Sequence, residues 1–243
     1  MKNYFEMFKV LEEKTDERLS HRLKYFSERV RRVVKAGEIR ETRMHNHLRN
    51  NYVIGNKKAL LKAMSAYYKS RGEDVFDYLP LSFHVANGLE DESYFKFLRC
   101  YYQRGKEIRK TGQGENIWIV KPGENSNRGY GIRVCKTLEQ VKSLVKAKAK
   151  CPDGTDRTYI VQLYVEKPLL YKRRKFDLRH YLMITCVNGI LKGYWYRHGY
   201  ARTSSSEYSL QTSDIKIHLT NDAIQKQMAD YGKHEKGNKV SYD

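Results

Sequence analysis

Lys175-Phe176-Asp177-Leu178-Arg179-His180-Tyr181-Leu182-Met183-Ile184 is the stretch that decides how this chain is read. A β-strand turns successive side chains to opposite faces. Phe176, Leu178, Leu182 and Ile184 therefore share one face with His180, and that face reads as the core side. Lys175, Asp177 and Arg179 share the other, which gathers a cation, a carboxylate and a second cation within two pleats. A solvated ladder of ion pairs worth little to stability would look the same. So would a charge cluster facing a ligand, and the strand alone leaves both open. Asn188-Gly189 follows and a second strand, Leu191 to Arg197, returns, which is a strong hairpin signal.

Working outward, the chain holds further strands and helices. Ile117 to Val120, Ile132 to Cys135 and Tyr159 to Val165 read as strands. Thr137 is placed to cap a helix running to about Lys150, with Val141, Leu144 and Val145 on one face. Cys151-Pro152-Asp153-Gly154 is turn chemistry. Upstream, Ala59 to Tyr68 reads as a helix with Leu60, Leu61, Met64 and Tyr68 on one face, and Asp91 to Arg109 as another with Phe95, Leu98 and Tyr102 at helical spacing. Asp77 to Phe83 reads as a loop entering a short extended piece. Residues 1–44 read as a long helix whose Leu19, Leu23, Phe26, Val30 and Val33 form a single apolar stripe. Such a stripe packs on its own domain or serves a partner such as a microtubule. Tyr200 to Ser206 reads as a polar loop and residues 221–229 as a helix. Helices followed by hairpin strands give an α+β class.

Composition bounds the function. The 243 residues carry 47 Lys plus Arg against 28 Asp plus Glu, a net charge of +19. That field steers acidic partners toward the chain: nucleic acid, an anionic membrane or an acidic protein tail. No RNP motif, zinc finger or helix-turn-helix supports nucleic acid. No apolar run is long enough to cross a membrane, and the N-terminus lacks the apolar core of a signal peptide. The 4 Cys are scattered without a CxxC pair, which excludes a disulfide scaffold and a zinc signature and makes a reducing cytosolic compartment the default. The 8 His include no HExxH pair, so a metal–histidine site is disfavoured. Lys121 to Ile132 joins two strands through a Gly-containing loop, with a lysine where a strand ends. Glycines there let backbone N–H groups approach phosphate. The loop is neither a Walker A sequence nor a GxGxxG fingerprint, and an ordinary hairpin turn would read alike.

In order, Trp118-Ile119-Val120-Lys121-Pro122, Arg128-Gly129-Tyr130-Gly131-Ile132, Val161 to Leu170, Lys175-Phe176-Asp177-Leu178-Arg179, Arg202-Thr203-Ser204-Ser205 and His218-Leu219-Thr220-Asn221 resemble the tubulin–tyrosine ligase-like family. Tyr231 to Asn238 continues the likeness. Weaker similarity reaches back through Lys57-Lys58-Ala59-Leu60-Leu61 to Asn46. The coverage is about residues 45–243, without the N-terminal helix.

With the long N-terminal helix, read from its apolar stripe, set ahead of it, the resemblance implies an ATP-grasp-like fold: antiparallel sheets with helices, and ATP between two sheets. It divides the chain into 1–44 as that helix, 45–115 as the first part of the ligase domain, and 116–243 as the central and partial C-terminal grasp. By position, Lys121 would hold nucleotide phosphates, with Lys58 a further phosphate cation. Arg128, Gly129, Gly131 and Ile132 would form the loop over them. Gln162, Leu163, Tyr164 and Val165 would be the hinge that bonds adenine, and Lys175 and Asp177 would sit at the nucleotide. Arg179 and Arg202 would face the substrate amino acid, whose carboxylate suits a guanidinium fork. Thr220 and Asn221 would border that centre. The implied cofactors are ATP and Mg²⁺. The family's magnesium carboxylates would lie beyond Asp243, because Glu235 and Asp243 stand in the wrong context.

The implied activity is ATP-dependent attachment of glutamate, glycine or tyrosine to tubulin tails through an acylphosphate. Its partners would be the acidic C-terminal tails of tubulin and a free amino acid, and its place the cytoplasm and cytoskeleton, with the cilium or basal body a narrower option. The alternative is a non-catalytic microtubule or axoneme component that keeps the fold and the basic surface.

Overall fold

A computed structural model describes residues 48, 51–124, 126–146, 149–151 and 154–242. The helix expected over 1–44 lies outside the described residues. Packing gathers Tyr52–Ile184 and Lys192–Asp243 into one unit. The hairpin tip Thr185–Leu191 falls outside that unit. Its own backbone is a tight turn, with Asn188 at φ 51° and Gly189 at φ 78°, the left-handed pair that a two-residue hairpin requires.

The unit starts with helices α1 (Tyr52–Gly55) and α2 (Lys57–Ser70), then strand β1 (Ser82–Val85), helix α3 (Glu92–Thr111), strands β2 (Trp118–Pro122) and β3 (Arg133–Cys135), helix α4 (Leu138–Lys146) and strand β4 (Tyr159–Leu163). Strands β5 (Leu170–Tyr171), β6 (Arg174–Val187) and β7 (Ile190–Glu207) follow, then short helices α5 (Ile215–His218) and α6 (Asp222–Gln225), and strand β8 (Lys239–Ser241). One sheet has the order β1-β4-β2-β3 and the other β5-β6-β7-β8. The first is antiparallel throughout. The α+β reading holds.

Local chemistry sets the helix ends. Asn56 caps α2 by accepting from the backbone N–H of Lys58 and Ala59. Asp91 caps α3 through Ser93 N–H and also accepts from Ala86 and Asn87. Gly112, at φ 65°, ends α3 in the left-handed conformation.

Strand alternation then divides the first sheet. Trp118, Val120, Tyr159 and Val161 face α3 and α4 and form the main core with Val85, Tyr94, Phe97, Val141 and Val145. Trp118 and Phe97 meet edge to face at 4.9 Å. Ile117, Ile119, Ile132, Val134 and Tyr164 line the opposite face and pack with Tyr208, Leu210 and Leu219. Lys121 and Gln162 follow Ile119 and Ile160 by period two, so they too belong to this second face, away from the helices.

Five expectations change. In α3 the buried side chains are Tyr94 and Phe97, while Phe95 and Tyr102 are exposed. The core-facing stripe is rotated by one residue, toward Trp118. Lys150 pairs with Asp156 in an isolated bridge, so the helix after Thr137 ends before it. The segment Tyr200 to Ser206 is not a loop. It completes β7, with Thr203, Ser204 and Ser205 fully buried. Their polarity misled because their partners are remote: Gln225 accepts from Ser205 N–H, and Asn238 donates to Thr203 O and Ser205 Oγ. The helix over 221–229 shrinks to Asp222–Gln225. Finally, Leu178 and Leu182, read as a core face, are exposed among the described residues. The alternation is right, and the face is half-buried at Phe176 and Ile184, with Tyr242 against His180, but it is open at Leu178 and Leu182.

Candidate functional site

Two sheet faces bring the sequence-selected charges together. Lys121 Nζ donates to Gln162 Oε1 at 2.5 Å. Gln162 Nε2 donates to Ser82 Oγ at 2.7 Å, and Ser82 Oγ to the Pro80 carbonyl. Lys175 Nζ donates to the Tyr164 hydroxyl at 2.9 Å and lies 4.5 Å from the Tyr164 ring centroid. The Tyr208 ring flanks it at 5.6 Å. Burial lowers Lys121 to about 8, and the positive charge of Lys57 adds to the shift. Burial likewise lowers Lys175 to about 8, with Lys121 adding to it. Each ammonium thus rests on a neutral oxygen and no carboxylate. Mutual repulsion of cations without a counter-charge is the electrostatic signature of an anion site.

Lys57 is the residue that sequence reasoning missed. Its ammonium donates to the Ser126 carbonyl at 2.7 Å, and burial lowers its pKa. Lys58 instead forms an ion pair with Glu124 at 2.7 Å. Burial acts to raise the Glu124 carboxyl, but the bonds from Lys58 and Thr158 prevail and hold it low. Adjacent lysines on a helix point about 100° apart. Only tertiary packing decides which one turns toward the cluster.

The glycine loop passes over α6. Gly129 has φ +84°, and a Cβ there would lie 2.5 Å from Ile224 Cδ1 and 3.3 Å from Asn221 Oδ1. Gly131, at φ +73°, would place a Cβ 2.8 Å from Pro122 Cγ. Arg128 is exposed and Ile132 buried, which fixes one end of the loop and leaves the cation at its crest free to meet a ligand. Asn221 caps α6 by position, without a side-chain bond.

A second knot lies two residues along β6. Asp177 accepts from Arg202 Nε at 3.1 Å and Nη2 at 3.2 Å. It also accepts from Thr220 Oγ1 at 2.5 Å, and Arg179 Nε lies 2.8 Å away. Asp177 thereby orients both arginines, and the rest of each guanidinium is left to bind another carboxylate. Leu163 N–H donates to Leu81 O and Tyr164 N–H to Ile117 O. The backbone of the expected hinge therefore ties the first sheet to its neighbours at these two residues, and Val165 beyond them is exposed. The site residues picked from sequence thus fall into four places, a lysine cluster, a glycine loop, an Asp177 knot and the end of β4, with Lys58 set apart on Glu124.

The carboxylates do not suit a metal. Mg²⁺ takes oxygen ligands in near-octahedral geometry. Asp177 is held by two arginines and a threonine, Glu124 by Lys58, and Glu235 by Arg174. Among the described residues no three His, Cys, Asp or Glu side chains converge. They therefore do not fit a magnesium site.

Comparison with known proteins gives the chain named relatives. The chain is 38% identical over 111 residues to tubulin glycylase 3B of Drosophila melanogaster, which covers 46% of this chain and 14% of that protein. It is 34% identical over 199 residues to the probable tubulin polyglutamylase ttll-9 of Caenorhabditis elegans, 79% of this chain and 43% of the relative. It is 30% identical over 205 residues to the human probable tubulin polyglutamylase TTLL2, 83% of this chain and 31% of the relative. The chain thus spans less than half the length of these relatives. The sequence pattern of the tubulin-tyrosine ligase family matches residues 37–242, taking in every site residue named above, and the chain belongs to that family.

Proposed function

We propose that this chain carries the nucleotide-binding part of an ATP-dependent ligase that attaches an amino acid to the acidic tail of tubulin. The observation that carries this reading is the cluster of Lys57, Lys121 and Lys175 on neutral oxygens beside a glycine loop. Three cations without a counter-charge match a polyphosphate, and the glycine loop, packed against Ile224 and Pro122, can offer it backbone N–H groups. In the ligase reading the chain would hold ATP so that a tail carboxylate takes its γ-phosphoryl group and ADP leaves, and the amine of a free amino acid would then displace phosphate as the amide forms. The lysines neutralise charge on the transferring group. Arg179 and Arg202, preset by Asp177, receive the carboxylate of the incoming amino acid. The acid is glutamate, glycine or tyrosine, and the names of the relatives favour the first two. The site of action would be the cytoskeleton, including the cilium or basal body.

The test is incorporation of labelled glutamate, glycine or tyrosine into tubulin with and without ATP, using the wild-type chain and Lys121→Met. ATP-dependent label that Lys121→Met abolishes supports the ligase. A second reading is favoured by the engaged carboxylates: a microtubule-bound relative that holds nucleotide without turnover. It predicts tubulin binding and nucleotide binding with no label incorporated.

A further inference from the structure

His218 is fully buried, and the function proposed above gives it no task. Its Nε2 lies 2.9 Å from the Thr212 carbonyl oxygen, and its Nδ1 lies 2.8 Å from the Tyr164 hydroxyl. A carbonyl only accepts, so Nε2 carries the proton. Burial lowers the pKa of the ring, which keeps it neutral and leaves Nδ1 an acceptor. The Tyr164 O–H must then donate to Nδ1, and its oxygen lone pair is free for the Lys175 ammonium 2.9 Å away. The bonds run one way only: Lys175 to Tyr164 to His218 to the Thr212 carbonyl. Lys121 is held in the same manner, through Gln162 and Ser82 to the Pro80 carbonyl.

We propose that His218 is a positioning residue that, by fixing the direction of the Tyr164 hydroxyl, presents Lys175 as a charged donor to the phosphates of a bound nucleotide. The inference rests on the nucleotide reading of the site. Without His218 the phenol proton loses the acceptor that fixes its direction and is free to turn toward the lysine. It then stabilises the neutral amine and opposes the ammonium. The charged and titratable groups around this chain are Lys121 and Tyr208 near Lys175, and Lys136 and Asp214 acting on His218. Of these the Tyr208 hydroxyl, whose own proton goes to the Glu166 carbonyl, also interacts with the Tyr164 hydroxyl and can accept its proton in part, so the shifts in His218→Leu should be smaller than those in Tyr164→Phe.

The test uses the whole chain, with Tyr164→Phe, His218→Leu and His218→Asn. Asn can place an acceptor near the position of Nδ1. Two quantities are read: the affinity for ADP by calorimetry, and the pH midpoint of Lys175 acetylation by competitive labelling and mass spectrometry. Tyr164→Phe and His218→Leu are expected to weaken ADP by about tenfold, the usual worth of one hydrogen bond to a charged group. Both should move the labelling midpoint to lower pH, and His218→Asn should restore both readouts toward wild type. Unchanged midpoints in folded Tyr164→Phe and His218→Leu would overturn the proposal, as would His218→Asn behaving like His218→Leu. Because labelling needs no nucleotide, shifted midpoints in a wild-type chain that ignores ADP would sink the nucleotide reading and the presentation of Lys175 to it, while leaving the hydrogen-bond chain itself established.

Discussion

At the scale of single residues, the site is a set of charges held at unusual cost. Lys121 and Lys175 are lowered to about 8 by burial and by neighbouring cations. A phosphate ligand needs both ammonium forms. Affinity for ADP should therefore be level below pH 7 and fall as pH rises through about 8, measured by calorimetry from pH 6.5 to 9.5. The ligand-free chain should show the opposite trend in stability. Between about 8 and the ordinary lysine pKa the unfolded chain binds more protons than the folded one, so stability rises with pH in that window. The thermal midpoint of wild type should climb relative to Lys121→Met from pH 7.5 to 9.5, and parallel profiles would contradict the burial of that charge. Gly129 makes a second point. An added Cβ would meet Ile224 at 2.5 Å in a backbone at φ +84°. Gly129→Ala should lower stability by about 1–3 kcal/mol and weaken ADP. Ile224→Ala removes a buried side chain and lowers stability by itself, but in that background Gly129→Ala should cost only the backbone part, as read by urea melts of wild type, the two single variants and the double variant.

At the scale of elements, β6 and β7 illustrate how one strand serves two purposes. Lys175, Asp177 and Arg202 project to the site, while Arg174 turns the other way into a buried polar knot. The Arg174 guanidinium binds both carboxylate oxygens of Glu235, and the Thr203 hydroxyl and Ser204 carbonyl close the knot. Removing one partner of a buried pair leaves an uncompensated charge, at about 3–5 kcal/mol. Glu235→Ala should cost that much in urea denaturation and should unpin β8 from Tyr200 to Arg202, where the two strands pair. A loss below about 1 kcal/mol would show that the knot is solvated. The period-two alternation of β6 was legible in the sequence. The strand character of Tyr200 to Ser206 was not, because its hydroxyls are satisfied by Glu235 and Asn238, and the Ser205 N–H by Gln225, from chain up to 35 residues away.

At the scale of the whole molecule, the charge of +19 is the property most directly tied to an acidic partner. Attraction between exposed charges is screened within about 10 Å at 0.1 M salt. Binding to a polyglutamate peptide should therefore weaken several-fold between 50 and 200 mM salt, measured by fluorescence anisotropy, whereas ADP affinity at the buried lysines should change less. The sequence by itself determined the α+β class, the hairpin, the family and the set of charges worth watching, because these follow from period, turn chemistry and short ordered motifs. Tertiary structure alone decided which charges are free. It turned Lys58 to Glu124 and Lys57 to the cluster, placed Tyr164 and His218 behind Lys175, and closed Asp177 between two arginines and Thr220. The reason is physical: the ionic state of a side chain depends on burial and on partners within a few ångströms, and residues far apart along a chain become such partners only when it folds.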